Sequence, residues 1–398
     1  MIRIAAIGLG NRTCKYLQYL KEHPDMVELV AVVEPDCCRR DNVANEFGIP
    51  ESLRFGETDA LWSARPEIDA VIIGTPDKTH FPIAMGCLQH DWHILLEKPA
   101  ATTTEECELL MKESQQRGLT VCICYVLRYH PYYLALKSVL ERSELGQVVS
   151  VDHVINVGLD RMAHTFVRGF WSRAEDSSPI ILSKASHDID LLYWLTGGRF
   201  VEVRSRGCLN RYRSENAPSG SAERCIDCSL EDKCPYSAYD LYVRRDDWNS
   251  NFTAYEGESK SDVVNRELRE GRFGRCVYRC DNDVVDYQEV DMVSETGCIV
   301  RLVIDGLTDE DSRVTRFVCA GGEVMADGKT IRIKTGGREE VIDMTEYHDM
   351  PMHAGADMKI VEAFLRAVSE DAPIGGTDLA TARHSHDVCF MAEADRCR

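Results

Sequence analysis

Three groups of residues have types and spacings suited to chemistry. Gly8-Leu9-Gly10 follows the apolar run Ile2–Ile7 and precedes an amphipathic stretch. A Gly-x-Gly turn in that place lets backbone approach a pyrophosphate and aims unpaired helix amides at it, which puts Asn11 and Arg12 beside a bound nucleotide. Thr13 stands where the fingerprint's third glycine is expected, so a plain tight βα turn is the competing reading. Glu34 closes the second apolar run, where a carboxylate accepts hydrogen bonds from an adenosine ribose and repels a 2′-phosphate. NAD is therefore expected over NADP. Arg39-Arg40 is the counter-signal, read here as a solvated helix face. In the second group, Gly74-Thr75-Pro76 and Glu97-Lys98-Pro99 end two further apolar runs, at the carboxyl ends of strands where open α/β sheets bind ligands. The third group is Cys225-Ile226-Asp227-Cys228 with Cys234-Pro235 and, farther on, Cys276 and Cys280. A Cys-x2-Cys pair chelates a tetrahedral metal readily, and Cys276 is the favoured fourth ligand over Cys280 or Cys208. Structural zinc is the first reading, buried or redox-paired thiols the second and an iron–sulfur cluster the third.

The elements that must hold these residues alternate with a βα rhythm up to residue 123. Strands are predicted at Ile2–Ile7, Glu28–Val33, Ala70–Ile73, His93–Leu96 and Thr120–Cys124, and helices at Asn11–Glu22, Cys37–Phe47, Thr79–His90 and Thr104–Arg117. Beyond Val126 a helix at Pro131–Arg142 leads into alternating segments at Val148–Val157, Val201–Cys208, Val284–Val293, Gly297–Asp305 and Ser312–Ala320, the pattern of a sheet covered on one face. The expected fold class is α/β. A Rossmann dinucleotide-binding domain spans residues 1–123, and an α+β domain with a large, mainly antiparallel open sheet spans residues 124–398. Residues 209–275 form a charged, Cys-bearing excursion in the second domain, and two helices near residues 357–394 end the chain.

The combination of Gly8-Leu9-Gly10, Glu34, Gly74-Thr75-Pro76 and Glu97-Lys98-Pro99 resembles the glucose-fructose oxidoreductase / inositol dehydrogenase / MocA (Gfo/Idh/MocA) family, over most of the chain. The resemblance implies that Lys98 lies beside the nicotinamide and the substrate hydroxyl, that Thr75 and Pro76 contact the cofactor, and that His80 and Glu97 lie close by. The family's second hallmark is an Asp-x-x-x-His pair, and Ser183-Lys184-Ala185-Ser186-His187-Asp188-Ile189-Asp190 looks like that region with His187 in place. Ser183 stands at the Asp position. A hydroxyl cannot bias a histidine as a carboxylate does, so Lys184 becomes a candidate for part of that role. Arg128-Tyr129, Asp188, and His164, Arg168 and Trp171 look like a subgroup of the family and offer substrate contacts, with surface charge and core aromatics as the competing reading. The Cys-bearing excursion resembles that of a subset of the same family.

Hydride transfer from a carbinol carbon requires the hydroxyl proton to leave, so a base must lie within hydrogen-bond reach. Lysine's reference pKa near 10.4 needs burial to fall, whereas histidine's, about 6.5, needs none. Lys98 and His187 are therefore the expected proton-handling pair.

Composition narrows the field further. With 46 Lys+Arg against 66 Asp+Glu over 398 residues, the chain carries a net charge of −20, which repels nucleic acid and anionic lipid alike. No apolar run reaches the roughly 18 residues a membrane span needs, and no signal-peptide pattern opens the chain, so a cytoplasmic protein is expected. An odd number of cysteines, 17, does not describe a disulfide scaffold. The first functional reading is an NAD(P)-dependent oxidoreductase acting on a sugar, sugar derivative or cyclitol, as a homodimer or homotetramer through its second sheet. The second is a redox-neutral glycosidase or lyase using tightly held NAD, kept open by Ser183 and by the extra bases His164 and Lys184. The third, a non-catalytic nucleotide-binding regulator, is disfavoured by retention of Lys98 and His187.

Overall fold

Apolar runs of four to seven residues separated by amphipathic stretches fold into a parallel sheet in the computed structural model, which describes every residue except 250, 251, 256, 349 and 371. The elements in chain order are β1 (Ile2–Ile7), α1 (Asn11–Glu22), β2 (Val27–Val33), α2 (Cys37–Glu46), β3 (Arg54–Phe55), α3 (Thr58–Ala64), β4 (Ala70–Ile73), α4 (Asp77–Gln89), β5 (His93–Leu96), α5 (Thr104–Arg117) and β6 (Val121–Ile123). They form a six-stranded sheet of order β3-β2-β1-β4-β5-β6. Strand order reverses between β1 and β4, the topological switch point at which doubly wound sheets bind ligands.

Local chemistry sets the helix ends. Thr103 accepts a hydrogen bond from Glu106 N at the start of α5, and Gly118 closes that helix in the left-handed conformation, with φ +66°. The Asp36 side chain caps α2 in the same way. In contrast to α5 and α2, α1 has Gly10 at its N-cap and its first amides receive no side-chain cap.

The chain divides into two compact units. The first comprises Met1–Ala135, Ser186–Leu192 and Glu346–Phe390, and holds the parallel sheet. One face of that sheet packs against α1 and, from the end of the chain, against Ile360, Val361, Phe364 and Leu365; the other face receives Leu379 and Ala382. Each of these side chains is at most 4% exposed, and a Phe364→Ala change would cost about 3–5 kcal/mol as a cavity. The C-terminal segment also reaches the sheet edge, where Ile123 N donates to Thr377 O at 2.8 Å.

The second unit comprises Leu136–Ala185, Tyr193–Thr345 and Met391–Arg398. After α6 (Pro131–Leu140) come β7 (Val148–Gly158), the short helical segments α7 (Leu159–Arg161) and α8 (Ile180–Ser183), α9 (Ser186–Thr196) and β8 (Phe200–Cys208). The excursion carries α10 (Lys260–Arg269), and then follow β9 (Tyr287–Ser294), β10 (Ile299–Thr308), β11 (Ser312–Cys319), β12 (Gly322–Ala326), β13 (Thr330–Thr335) and β14 (Arg338–Asp343). The chain ends with α11 (Pro351–Ala354), α12 (Ala356–Glu370) and α13 (Leu379–Arg396). The second sheet has the order β14-β13-β12-β11-β7-β10-β9-β8; every pairing is antiparallel except that of β7 with β10. Among the described residues no helix is long and apolar enough to cross a membrane.

Candidate active site

Gly8 in the nucleotide turn and Gly74 facing it are glycines whose replacement would bring a clash. Gly8 has φ +79°, and a Cβ there would stand 2.7 Å from Thr75 Cγ2 and 2.9 Å from Gly74 O. A Cβ on Gly74 would meet Thr13 Oγ1 at 2.1 Å, so Thr13 packs the helix directly on the fourth strand's end, the contact usually left to a third glycine. Gly8 N donates to Val33 O at 2.8 Å and Gly74 N to Ile7 O at 2.9 Å, which binds three strand ends into one rim. With α1 uncapped above this rim, the residues present fit a dinucleotide pyrophosphate.

Glu34 is 7% exposed; Oε2 accepts Leu9 N at 2.8 Å and Oε1 accepts Asp36 N at 3.1 Å. Each oxygen keeps a lone pair for a further donor. Arg39 Nη1 lies 3.6 Å from Glu34 Oε1, and Arg40 Nη1 donates to the Glu34 carbonyl at 2.9 Å. Both arginines turn back on this strand end and do not form a solvated helix face.

Lys98 follows β5, and its neighbour Glu97 anchors a buried ionic cluster. Glu97 Oε1 accepts from Arg12 Nε at 2.9 Å and from the Tyr16 hydroxyl, while Oε2 accepts the Lys98 amide at 3.1 Å. Arg12 also grips Asp357 of α12 with two bonds, of 2.7 and 3.2 Å, and Asp357 is fully buried. Arg12 thus ties the nucleotide helix to the Lys98 strand end. Its guanidinium and His353 together hold the Asp357 carboxyl down at about 2, against the opposing pull of burial.

Two histidines brace the Lys98-Pro99 turn. Ala100 N donates to His386 Nε2 at 2.8 Å, so Nε2 carries no proton and Nδ1 donates to Ala382 O at 2.9 Å. Burial pushes His386 down to about 4, keeping it neutral. His80 is 1% exposed and spends both ring nitrogens on carbonyl oxygens, Nδ1 on Pro99 O at 2.6 Å and Nε2 on Thr75 O at 2.8 Å. It therefore clamps the two strand-end turns together through their backbones.

Burial is the largest influence on Lys98 and pushes its ammonium below the ordinary lysine range, against the pull of the Glu97, Asp77 and Asp188 carboxylates and with some help from Arg12. Lys98 and His187 are both half-buried, whereas Asp188 is fully buried. The His187 ring meets Tyr125 edge-on at 5.4 Å. Arg128 is 6% exposed and forms a two-pronged pair with Asp190, with both contacts at 2.8 Å, and Tyr129 donates to Ile374 O at 2.9 Å. These groups, with the nucleotide turn, all lie in the first unit.

The remaining expected residues lie in the second unit. His164 Nδ1 faces the Tyr242 hydroxyl at 2.9 Å, its ring stacks on Phe273 at 4.7 Å, and burial together with Arg168 and Arg161 pushes it down to about 4. Arg168 is 2% exposed; it donates to Arg275 O at 2.7 Å and Tyr236 O at 2.6 Å, pinning the excursion's backbone. Ser183 donates to Pro179 O at 3.1 Å, and Trp171 and Lys184 are half-buried.

The expected zinc tetrad of Cys225, Cys228, Cys234 and Cys276 is corrected. Among the described residues no group of three or more His, Cys, Asp or Glu side chains is arranged to hold a metal ion. Cys225 instead accepts hydrogen bonds from Arg168 Nη2 and Ala238 N, both at 3.5 Å. No disulfide joins any of the 17 cysteines, all of which lie among the described residues.

Asp77, Tyr16, Asp357 and His386 were not singled out from the sequence. Asp77 carries a local signal, directly after Thr75-Pro76; Asp357 and His386 carry none, since they reach the site only through the fold.

Comparison with known proteins agrees with this geometry. Residues 2–125 match the family model described as "Oxidoreductase family, NAD-binding Rossmann fold", and residues 133–226 match the "GFO/IDH/MocA C-terminal domain". A putative oxidoreductase of Bacillus subtilis, YteT, is 25% identical over 53% of this chain and 52% of its own length, so the match spans about half of that relative. An inositol 2-dehydrogenase of Arthrobacter sp. is 23% identical over 85% of this chain and 97% of that protein. The solved structure of UDP-N-acetylglucosamine 3-dehydrogenase from Acidithiobacillus ferrooxidans shares the fold, with a TM-score of 0.66 at 20% identity over 99% of this chain and 97% of that one. With the nucleotide rim, the Lys98 strand end and both family models on one chain, the protein belongs to the Gfo/Idh/MocA oxidoreductase family.

Proposed function

We propose that this protein is an NAD(P)-dependent oxidoreductase that moves hydride between a secondary alcohol carbon of a sugar, sugar derivative or cyclitol and nicotinamide, with NAD as the preferred cofactor. The observation that carries this reading is Lys98. It is a lysine at a strand end beside the nucleotide rim, pushed down by burial and fixed through its own amide on Glu97. Bound NAD would supply the hydride acceptor. Gly8, Gly10 and the amides of Asn11 and Arg12 hold the pyrophosphate end, and Thr75 and Pro76 line the nicotinamide side. Lys98, its ammonium pushed below the ordinary lysine range by burial, is the group that would take the hydroxyl proton as the alcohol is oxidised, and His187 would pass it on. One feature supports NAD over NADP: the Glu34 carboxylate is poised for a ribose hydroxyl and repels a 2′-phosphate, whereas Arg39 and Arg40 at the same strand end are the counter-signal.

A net charge of −20 favours neutral, hydroxyl-rich substrates, as the inositol named for one relative is. Exposed Val149, Val201 and Ile299 on β7, β8 and β10 support association of copies through the second sheet. Seventeen cysteines with no disulfide among them suit a reducing cytoplasm.

The test is direct. Purified protein is incubated with NAD or NADP and a panel that includes myo-inositol, UDP-N-acetylglucosamine, free sugars and aryl glycosides, and reduced cofactor is followed by absorbance. Net reduction with one polyol, lost in Lys98→Met, is expected. Cleavage of a glycoside without net reduction would replace this reading with the redox-neutral one.

A further inference from the structure

Two contacts, three residues apart on both sides, dock the start of α9 on the turn that follows β6. Arg128 N donates to Tyr125 O at 3.3 Å, so residues 125–128 form a 3₁₀ turn, in which side chains three apart stand on one face. His187 and Asp190 share one face of α9 in the same way. The two faces meet: the His187 ring lies edge-on to Tyr125 at 5.4 Å, and Asp190 accepts two hydrogen bonds from Arg128, both of 2.8 Å. This grip is closely hemmed in. Arg128 is 6% exposed, a Cβ on Gly376 would stand 2.8 Å from its Nη1, and Ser385 Oγ donates to Asp190 Oδ1 at 3.4 Å. Tyr125 in turn reaches the Lys98 turn: its hydroxyl lies 3.3 Å from His386 Nδ1, and His386 Nε2 accepts the amide of Ala100, two residues beyond Lys98.

We propose that Arg128 is a positioning residue for the proton-handling step: its two-pronged grip on Asp190 sets the seat of α9, and with it the place of the His187 ring on Tyr125. The inference rests on the reading of His187 as a proton carrier. An edge-on ring contact is a shallow preference and leaves an imidazole room to slide. Two parallel hydrogen bonds between a guanidinium and a carboxylate fix distance and angle together. Because Asp190 stands three residues after His187 on one helix, whatever fixes the first fixes the backbone that carries the second. Proton transfer needs that precision, since a misplacement of about 1 Å can cost on the order of 10²-fold in rate. Arg128 thus turns its Nε and Nη2 inward, and its part in the site differs from the substrate contact that the sequence leads one to expect.

The double variant Arg128→Met/Asp190→Leu removes both charges and so leaves no unpaired one in the core. It is expected to fold and to bind NADH as the parent does. Carbethoxylation of His187 by diethyl pyrocarbonate, quantified on its peptide by mass spectrometry, is expected to speed up severalfold as the ring leaves Tyr125; a parent-like rate overturns the proposal. Turnover reads the same link. In NAD reduction with a polyol from the panel above, the double variant is expected to lower kcat about tenfold to 10²-fold, and to lower it no further in a His187→Ala background, because the pair acts through that ring. An equal further loss in that background marks a general structural role and also overturns the proposal. If the double variant does not fold, Arg128→Lys, which keeps the charge and loses the fork, is expected to show the same two changes, and parent-like values there overturn the proposal. Failure of the parent to reduce NAD with any polyol would refute the dehydrogenase reading, while the carbethoxylation rate still decides whether Arg128 seats His187.

Discussion

Asp357→Asn tests whether the clamp joining the nucleotide helix to the Lys98 strand end is a real energetic link. Asp357 is fully buried, bound to Arg12 through contacts of 2.7 and 3.2 Å, and its carboxyl is held at about 2 against an ordinary 3.8. At about 1.4 kcal/mol per pH unit, that difference corresponds to roughly 2 kcal/mol of folding stability. The figure falls below the ~3–5 kcal/mol of a fully broken buried pair because Arg12 keeps Glu97 and Tyr16. A carboxyl with a depressed pKa contributes its full share above its unfolded value near 3.8 and loses it as pH falls toward 2. Urea unfolding should therefore place Asp357→Asn about 2 kcal/mol below the parent at pH 7. The gap should hold down to about pH 4 and close in more acidic solution. A gap of under about 0.5 kcal/mol at pH 7, or one that does not narrow below pH 4, would refute the assignment of Arg12 and Asp357 as a stabilising pair.

Three further outcomes follow from the same geometry. Gly8→Ala places a methyl group 2.7 Å from Thr75 Cγ2 at φ +79°, and should weaken NADH binding, measured by fluorescence, at least about tenfold; unchanged binding would remove the turn from the cofactor site. Lys98→Met should lower kcat/KM about 10²–10⁴-fold with NADH binding retained, and near-parent turnover would show that the proton leaves by another group. His164, pushed down to about 4, costs stability as pH falls from about 6.5, where the unfolded chain protonates, to about 4. His164→Phe should accordingly flatten the acid side of the stability curve by roughly 3 kcal/mol in urea titrations, and an unaltered slope between pH 6.5 and 4.5 would contradict its burial as a neutral ring.

Apart from β3 and α3, the first sheet is legible element by element, because its strands are short apolar runs and its helices are amphipathic stretches. Ile2–Ile7, Ala70–Ile73, His93–Leu96, Asn11–Glu22 and Thr104–Arg117 coincide with the observed elements. Strand β3 and helix α3 went unread, since two residues of strand and seven of helix are too short to show a period. Strands β12 to β14 were also missed. The last of them is exposed at most positions and so carries no core-facing alternation to read. The cysteine spacing misled for a different reason. Loop length says which thiols can approach one another, but hydrogen bonds from Arg168 and Ala238 set where Cys225 points.

The amino-acid order alone specifies a doubly wound nucleotide unit, a second mainly antiparallel sheet and the strand-end positions of Gly8, Glu34, Thr75 and Lys98, because these follow from periodicity and short-range turn chemistry. The sequence does not reveal that α12 packs on the nucleotide sheet, that Arg12 answers Asp357 rather than solvent, or that His386 supports the Ala100 amide. Those contacts join residues more than 280 positions apart. A charge or ring whose partner is that distant has no local signature, so its protonation and its role emerge only when the folded core brings the two together and excludes water.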